Sequence, residues 1–165
     1  MSKIPVADQL INAWNRHNEI NLLLLGGIPD AGLQAVPLNS RGRTVARQFD
    51  HMSQVRLGWV HYHTTGKRPR RTPREKGSDP TRAELKSALA ESGEAVANFL
   101  ADAMSGEAKV RLFGGETVRW LAYLISHESH HRGQIMLALK QAGMKLPEKV
   151  AIQGLWGGWI FGKSK

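Results

Sequence analysis

Residues 115–142, GETVRWLAYLISHESHHRGQIMLALKQA, decide the fold. They combine a long helical pattern of apolar residues with several closely spaced histidines. Apolar residues recur every three or four positions, which predicts a helix from about Gly115 to Ala142. At about 100° per residue, His127 and His131 lie about 40° apart and one turn apart. They share a face with the apolar residues Trp120, Leu124, Ile135 and Ala138. Two imidazoles placed in this way can reach a common metal ion inside the protein.

Helical patterns also occur in three earlier parts of the chain. They predict helices over about Val6 to Leu25, Arg43 to His63 and Thr81 to Met104. Thr81 and Glu84 fit a capping box at the start of the third helix. We expect Gly26-Gly27 to end the first helix, Gly106 the third and Gly143 the fourth, with left-handed backbone angles at the Gly26-Gly27 stop. No internal repeat and no long alternation typical of strands occurs in the 165 residues. The sequence therefore predicts an all-α fold of one domain, residues 1–165, with a four-helix bundle as its architecture.

Two segments lie outside the predicted helices. Residues 64–80, TTGKRPRRTPREKGSDP, form a basic crossover loop rich in proline and glycine. Residues 144–165 form a tail whose aromatic and aliphatic residues are too apolar for a disordered end. These are Leu155, Trp156, Trp159, Ile160 and Phe161. We expect the tail to fold back over the bundle as core packing, and a role in substrate access is the alternative.

The formal net charge of +9 raises the question of a nucleic-acid partner. Residues 64–80 supply +4 of it, six basic side chains minus two acidic ones. They include no aromatic residue to stack on a base, and no nucleic-acid-binding signature surrounds them. We therefore expect a solvated basic loop and no nucleic acid, with an anionic partner or substrate as the alternative.

Cysteine is absent, so the chain offers neither a thiolate ligand nor a cysteine nucleophile. The longest apolar run, Leu22 to Leu25, is too short to cross a bilayer, and the N-terminal residues do not resemble a signal peptide. We expect a cytoplasmic protein without membrane contact.

Seven histidines occur in the chain, at positions 17, 51, 61, 63, 127, 130 and 131. His51 lies on the inward-facing stripe of the second predicted helix. His61 and His63 point away from that stripe and sit about 15–18 Å farther along the axis. His130 points away from the centre of the apolar face of the fourth helix and ranks behind its neighbours. The pattern predicts a metal site of His51, His127 and His131 with open positions for water or substrate, although a single inward histidine is more often a hydrogen-bonded core residue.

Residues 127–131, HESHH, also read as the metalloprotease motif H-E-x-x-H. No histidine follows His131 to act as a third ligand, and no edge strand for a peptide substrate is visible, so the protease interpretation is disfavoured. The motif nevertheless names Glu128, together with His130, as a possible proton carrier near the ion.

A second apolar stripe lies almost opposite the histidines on the fourth helix. It consists of Val118, Leu121, Ile125, Met136 and Leu139. This stripe could contact the first or third helix, or it could form a dimer seam. A non-catalytic metal-binding or interaction protein therefore stands as the alternative to an enzyme.

Several of these segments together resemble the DinB-like (DinB/YfiT) superfamily of metal-dependent enzymes. The most specific part is H-x-x-x-H-R-G-Q at residues 127–134, joined to the single upstream histidine at 51. Weaker similarity comes from Trp14 to Asn18, Ile28-Pro29, Val45 to His51 and Trp59. The chain differs from a typical member in the basic loop at 64–80 and in the glycine-rich aromatic segment at 154–159.

The resemblance implies a four-helix bundle, often a homodimer, in which His51, His127 and His131 bind a divalent metal ion. Zinc or nickel is expected, and imidazole ligands also suit iron or copper. Members of the family with known activity include S-transferases and isomerases that use low-molecular-weight thiols such as bacillithiol or mycothiol. We therefore expect an enzyme acting on a small-molecule substrate, as a thiol-dependent S-transferase or as a hydrolase.

Overall fold

The computed structural model describes residues 4–69 and 79–161, and these residues are helical with no strand among them. Four long helices carry the fold: α1 (Val6–Gly27), α2 (Val45–Thr65), α3 (Arg82–Ser105) and α4 (Thr117–Gln141). A short helix, α5 (Gly157–Phe161), follows in the tail. Two 3₁₀ turns (Asp30–Gln34 and Phe113–Gly115) and one π-helical segment (Lys149–Gly154) complete the described elements. The all-α prediction is confirmed, and each long helix begins and ends within about two residues of its predicted bounds.

The basic loop is only partly within the described residues. Helix α2 continues through Thr65, and Gly66 caps it with a left-handed φ of 72°. The prediction of a loop between residues 70 and 78 lies outside the described residues.

The start of α3 follows its local sequence. The Thr81 hydroxyl accepts a hydrogen bond from the Glu84 backbone amide at 3.3 Å, and the Glu84 carboxylate accepts one from the Thr81 amide at 2.7 Å. This reciprocal pair satisfies two amide donors that have no partner inside the helix. The predicted capping box is confirmed.

Helix α1 ends near the predicted stop, but the left-handed backbone expected at Gly26-Gly27 is wrong. Helix α1 runs through Gly27 and ends at Ile28, which adopts an extended conformation with φ −84° and ψ 131°. Ile28 precedes Pro29, whose ring disfavours a helical conformation in the residue before it. Gly27 serves a different purpose, because a Cβ atom there would lie 2.9 Å from Cγ1 of Val150. Its missing side chain lets the C-terminal region pack closely against α1.

The core consists of two apolar clusters with a layer of polar side chains between them. The first cluster includes Leu24, Phe49, Leu89 and Ile135, and the second includes Trp14, Val96, Leu124 and Trp120. On each long helix a polar residue lies between the positions that feed the two clusters. This polar layer consists of His17, Asn21, Arg56, Ser92 and Glu128, each at most 1% exposed. Buried polar groups are costly unless they are hydrogen-bonded, so the layer must satisfy itself internally.

The tail folds back against α1, as predicted. Leu155 is 6% exposed and joins the first cluster. Close contact depends on two glycines, because added Cβ atoms at Gly154 and Gly158 would lie 2.3 Å from Leu23 and 3.3 Å from Ile20. Core packing accounts for only part of the tail, however. Trp156, Ile160 and Phe161 are 63%, 69% and 83% exposed.

The second apolar stripe of α4 mainly contacts the rest of the chain. Leu121 and Leu139 are 3% and 0% exposed and belong to the two clusters, whereas Val118 is 54% exposed. Most of the stripe is therefore core rather than a free seam. No helix in the described part of the chain has the length and apolar character needed to cross a membrane.

Candidate metal centre

His51 on α2 and His127 and His131 on α4 converge on one point. One ring nitrogen of each histidine lies within 4.8 Å of one nitrogen of each of the others. The ring centroids are 5.3 Å apart for His51 and His127, 5.0 Å for His51 and His131, and 4.7 Å for His127 and His131. The structure thus brings together the three residues selected from the sequence. We call them the histidine cluster.

Gln48 orients one member of the histidine cluster. This side chain is 2% exposed and lies one turn before His51 on α2. Its Oε1 atom lies 3.3 Å from Nδ1 of His131. An amide oxygen only accepts hydrogen bonds, so this contact places the proton of neutral His131 on Nδ1 and leaves the lone pair on Nε2. Outer partners of this kind fix the tautomer of metal-binding histidines.

Burial favours the neutral forms of His127 and His131. Burial is the main cause that lowers the pKa of His131 to about 4, and the neighbouring His127 and His51 add to the effect. Burial also lowers the pKa of His127. Neutral imidazoles have the free lone pairs that a metal ion requires.

His127 provides a further sign that the histidine cluster suits a metal ion. Its Nδ1 atom is buried and has no hydrogen-bond partner among the described residues. Leaving a buried polar atom unpaired costs about 1–3 kcal/mol. A set of three neutral imidazoles matches the ligand preferences of zinc, nickel, iron and copper ions. The residues present therefore fit a divalent ion of this group.

The other histidines do not join the cluster. His130 is exposed, and its Nε2 atom lies 2.9 Å from Nε2 of Gln134. His61 is exposed, whereas His63 is buried among aromatic rings and accepts a hydrogen bond on Nδ1 from the Arg111 amide at 3.2 Å. The choice of three histidines out of seven agrees with this geometry.

The expectation that Glu128 carries protons near the ion is wrong. Its side chain is 1% exposed and belongs to the polar layer. Oε1 accepts a hydrogen bond from Nε of Arg56 at 2.6 Å. Oε2 accepts bonds from Arg56 at 2.7 Å and from Asn21 at 2.7 Å, and it lies 2.8 Å from Nε2 of His17.

The electrostatics of Glu128 lead to the same conclusion. Burial alone would raise the pKa of its carboxyl group, but the hydrogen bonds and charge of Arg56, with a further contribution from His17, lower it to about 2. A carboxylate with all its partners in place and this pKa does not exchange protons at neutral pH. The H-E-x-x-H pattern therefore lacks the general base that a metalloprotease needs.

His17 and Arg56 are the residues that the sequence analysis missed. Arg56 is 0% exposed, and its remaining donors reach Asn18 at 2.7 Å, the Leu89 carbonyl at 3.0 Å and Ser92 at 3.3 Å. Burial lowers the pKa of His17 even though Glu128 opposes the shift. One signal was available in the sequence. His17 lies three residues after Trp14, which belongs to the second cluster, and Arg56 lies three residues before Trp59, which packs against that cluster.

Aromatic side chains bound the histidine cluster on the His127 side. The Tyr123 ring stacks on His127 with a centroid distance of 5.8 Å and an interplanar angle of 23°. Phe113 and Trp59 contact Tyr123 at 5.1 and 5.8 Å. Phe113 holds its place with a left-handed φ of 58°, which is uncommon for a bulky residue. The half-buried rings limit the access of water to this side of the cluster.

These features define an all-helical protein with three converging histidines between two of its helices. A comparison with family models adds the family itself, because the model of the DinB family matches residues 1–153. The chain belongs to the DinB family. A comparison with curated proteins gave no match. Membership supports a metal-binding, enzyme-like fold and agrees with the histidine cluster.

Proposed function

We propose that this protein is a divalent-metal-dependent enzyme whose ion is held by His51, His127 and His131. The observation that carries the proposal is the approach of one nitrogen from each ring to within 4.8 Å of the others. Three protein ligands leave coordination positions for water or substrate, which is typical of catalytic rather than structural sites. Zinc and nickel are the ions we propose first.

A bound ion of this kind acts as a Lewis acid and lowers the pKa of a water molecule or thiol that binds to it. The chain supplies the framework for that chemistry. Gln48 holds His131 in one tautomer, and the Tyr123 ring covers His127. Because Glu128 is fully engaged elsewhere, the described residues offer no buried carboxylate as a general base in the histidine cluster.

We propose a small molecule as the substrate and thiol-dependent S-transfer or hydrolysis as the reaction. A chain without cysteine requires the thiol to come from a cosubstrate such as a low-molecular-weight thiol. Within the same proposal the four long helices form a four-helix bundle, and the protein assembles as a homodimer.

Elemental analysis of the purified protein tests the metal site. We expect about one divalent ion per chain in the wild type and loss of that ion in His51→Ala and His127→Ala. His61→Ala provides the matched control, because His61 is exposed and lies outside the histidine cluster. Retention of the ion in both cluster variants, or its loss in the control as well, contradicts the proposal.

The reaction is tested separately with the metal-loaded protein. Low-molecular-weight thiols with an electrophilic acceptor test S-transfer, and simple esters and amides test hydrolysis. Activity that disappears in His127→Ala assigns the reaction to the site. Stoichiometric metal without turnover in either assay favours a non-catalytic metal-binding protein instead.

A further inference from the structure

We propose that Glu128 is a positioning residue, which fixes the rotation of α4 so that His127 and His131 face His51. This inference rests on the proposed metal site and explains how the chain holds that site in place. Glu128 lies between the two α4 histidines in sequence, yet its carboxylate points into the polar layer rather than towards the cluster.

The side chains of Glu128 and the two histidines project from α4 in different directions around its axis. At about 100° per residue, Glu128 projects about 100° from His127 and about 60° from His131 around the helix axis. The histidines therefore face α2 at His51, while the carboxylate is held on an adjoining side. The direction of the histidines and the direction of the Glu128 carboxylate are both fixed. Together they allow α4 only one rotation about its axis.

The partners of Glu128 come from two other helices. Arg56 on α2 binds both carboxylate oxygens, at 2.6 and 2.7 Å. Asn21 and His17 on α1 contact Oε2 at 2.7 and 2.8 Å. Bidentate pairing with a guanidinium group is directional, so it constrains orientation as well as distance. Arg56 and His51 share α2, which means that one helix holds both the third histidine and the main partner of the carboxylate.

Small rotations of α4 would disturb the histidine cluster. A helix with its side chains has a radius of about 5–6 Å, so a 20° turn would move a ring nitrogen at its periphery by about 2 Å. A metal site tolerates displacements of only about 0.5 Å. The apolar contacts of α4 restrict its rotation less sharply, because hydrophobic attraction has no preferred direction.

The test compares metal affinity in folded variants. Glu128→Gln keeps the size of the side chain but replaces one carboxylate oxygen with an amide donor that faces Arg56. We expect the Kd for Ni²⁺ or Zn²⁺, measured by competition with a chelating indicator, to rise about 10–100-fold. The matched control is Glu94→Gln, because Glu94 is exposed on α3. Its Kd should remain within about twofold of the wild type.

If Glu128 had only a structural role, Glu128→Gln would lower the stability of the protein but leave the Kd of the folded protein unchanged. An unchanged Kd in folded Glu128→Gln therefore overturns the inference. If Glu128→Gln does not fold, Asn21→Leu decides, because it removes one hydrogen bond to the carboxylate and one from Arg132 but leaves both bonds from Arg56 in place. A Kd raised at least about threefold supports the inference, and an unchanged Kd overturns it. A wild type that binds no ion overturns the proposed metal site, and the inference falls with it. The wild-type titration thus separates the two failures.

Discussion

Replacing Arg56 with methionine should reveal how strongly the polar layer contributes to stability. Arg56→Met keeps a long apolar side chain but leaves the Glu128 carboxylate buried with hydrogen-bonding contacts to Asn21 and His17 and with Arg132, whose charge also acts on it. Removing one partner of a buried ion pair costs about 3–5 kcal/mol. The pKa of Glu128 points in the same direction, because burial would raise it and the hydrogen bonds and charge of Arg56 are the main causes that lower it to about 2 instead.

Urea unfolding followed by tryptophan fluorescence measures the loss of stability, with a chelator present so that metal binding does not contribute. At an m-value of about 2 kcal/mol per molar urea, the midpoint should fall by about 1.5–2.5 M. Arg47→Met is the matched control, because Arg47 lies on the same helix with its side chain 46% exposed, and its partner Asp79 keeps a second hydrogen bond from Thr44. Because the Arg47 side chain is about half exposed to water, the loss of this pair should cost about 1 kcal/mol, less than the loss of Arg56.

A double variant sharpens the Arg56 test. Arg56→Met combined with Glu128→Leu removes both charges, so it should be more stable than Arg56→Met alone. If Arg56→Met loses no more stability than Arg47→Met, the polar layer does not make the large contribution to the free energy of unfolding that its hydrogen bonds indicate.

Three further predictions concern other parts of the fold. Gly93→Ala should lower the free energy of unfolding by about 1–3 kcal/mol, because the new Cβ would lie 2.2 Å from the Asn18 side chain. Thermal unfolding measures this loss. An unchanged melting temperature would contradict the close packing of α1 and α3. His63→Phe should reduce the dependence of stability on pH. The lowered pKa of buried His63 means that, below pH 6.5, the unfolded chain takes up a proton that the folded chain does not, so stability falls as pH falls. Urea titrations at about pH 7.5 and about pH 5 should show a smaller fall in the variant than in the wild type, and equal falls would contradict the assignment. Thr81→Ala should cost about 1 kcal/mol through loss of the capping box, and an unchanged urea midpoint would exclude that contribution.

The helices and the histidine cluster were predictable because both depend on periodicity along one chain segment. Apolar spacing gave the four long helices, and the capping box at Thr81 located the start of α3. The angular separation of His127 and His131 indicated a shared direction, and the inward stripe of α2 selected His51. Local geometry was sufficient for each of these predictions.

The partners of Glu128 were not predictable in the same way. Which side chains meet a buried carboxylate depends on which helix lies beside it, and contacts over 72 and 111 positions of sequence leave no periodic signal. The role of Gly27 was hidden for a similar reason. Its close contact is with Val150, in a segment that packs against α1 only in the folded chain.

The polar layer between the two apolar clusters also bears on how the protein opens. We expect each cluster to loosen separately, because the polar layer that lies between them is joined by hydrogen bonds rather than by interlocked apolar side chains. Amide hydrogens near Leu89 and Ile135 should therefore exchange with solvent in one cooperative step, and those near Val96 and Leu124 in another. The histidine cluster draws on helices at the boundary of the two units, so an ion bound there would couple their local unfolding.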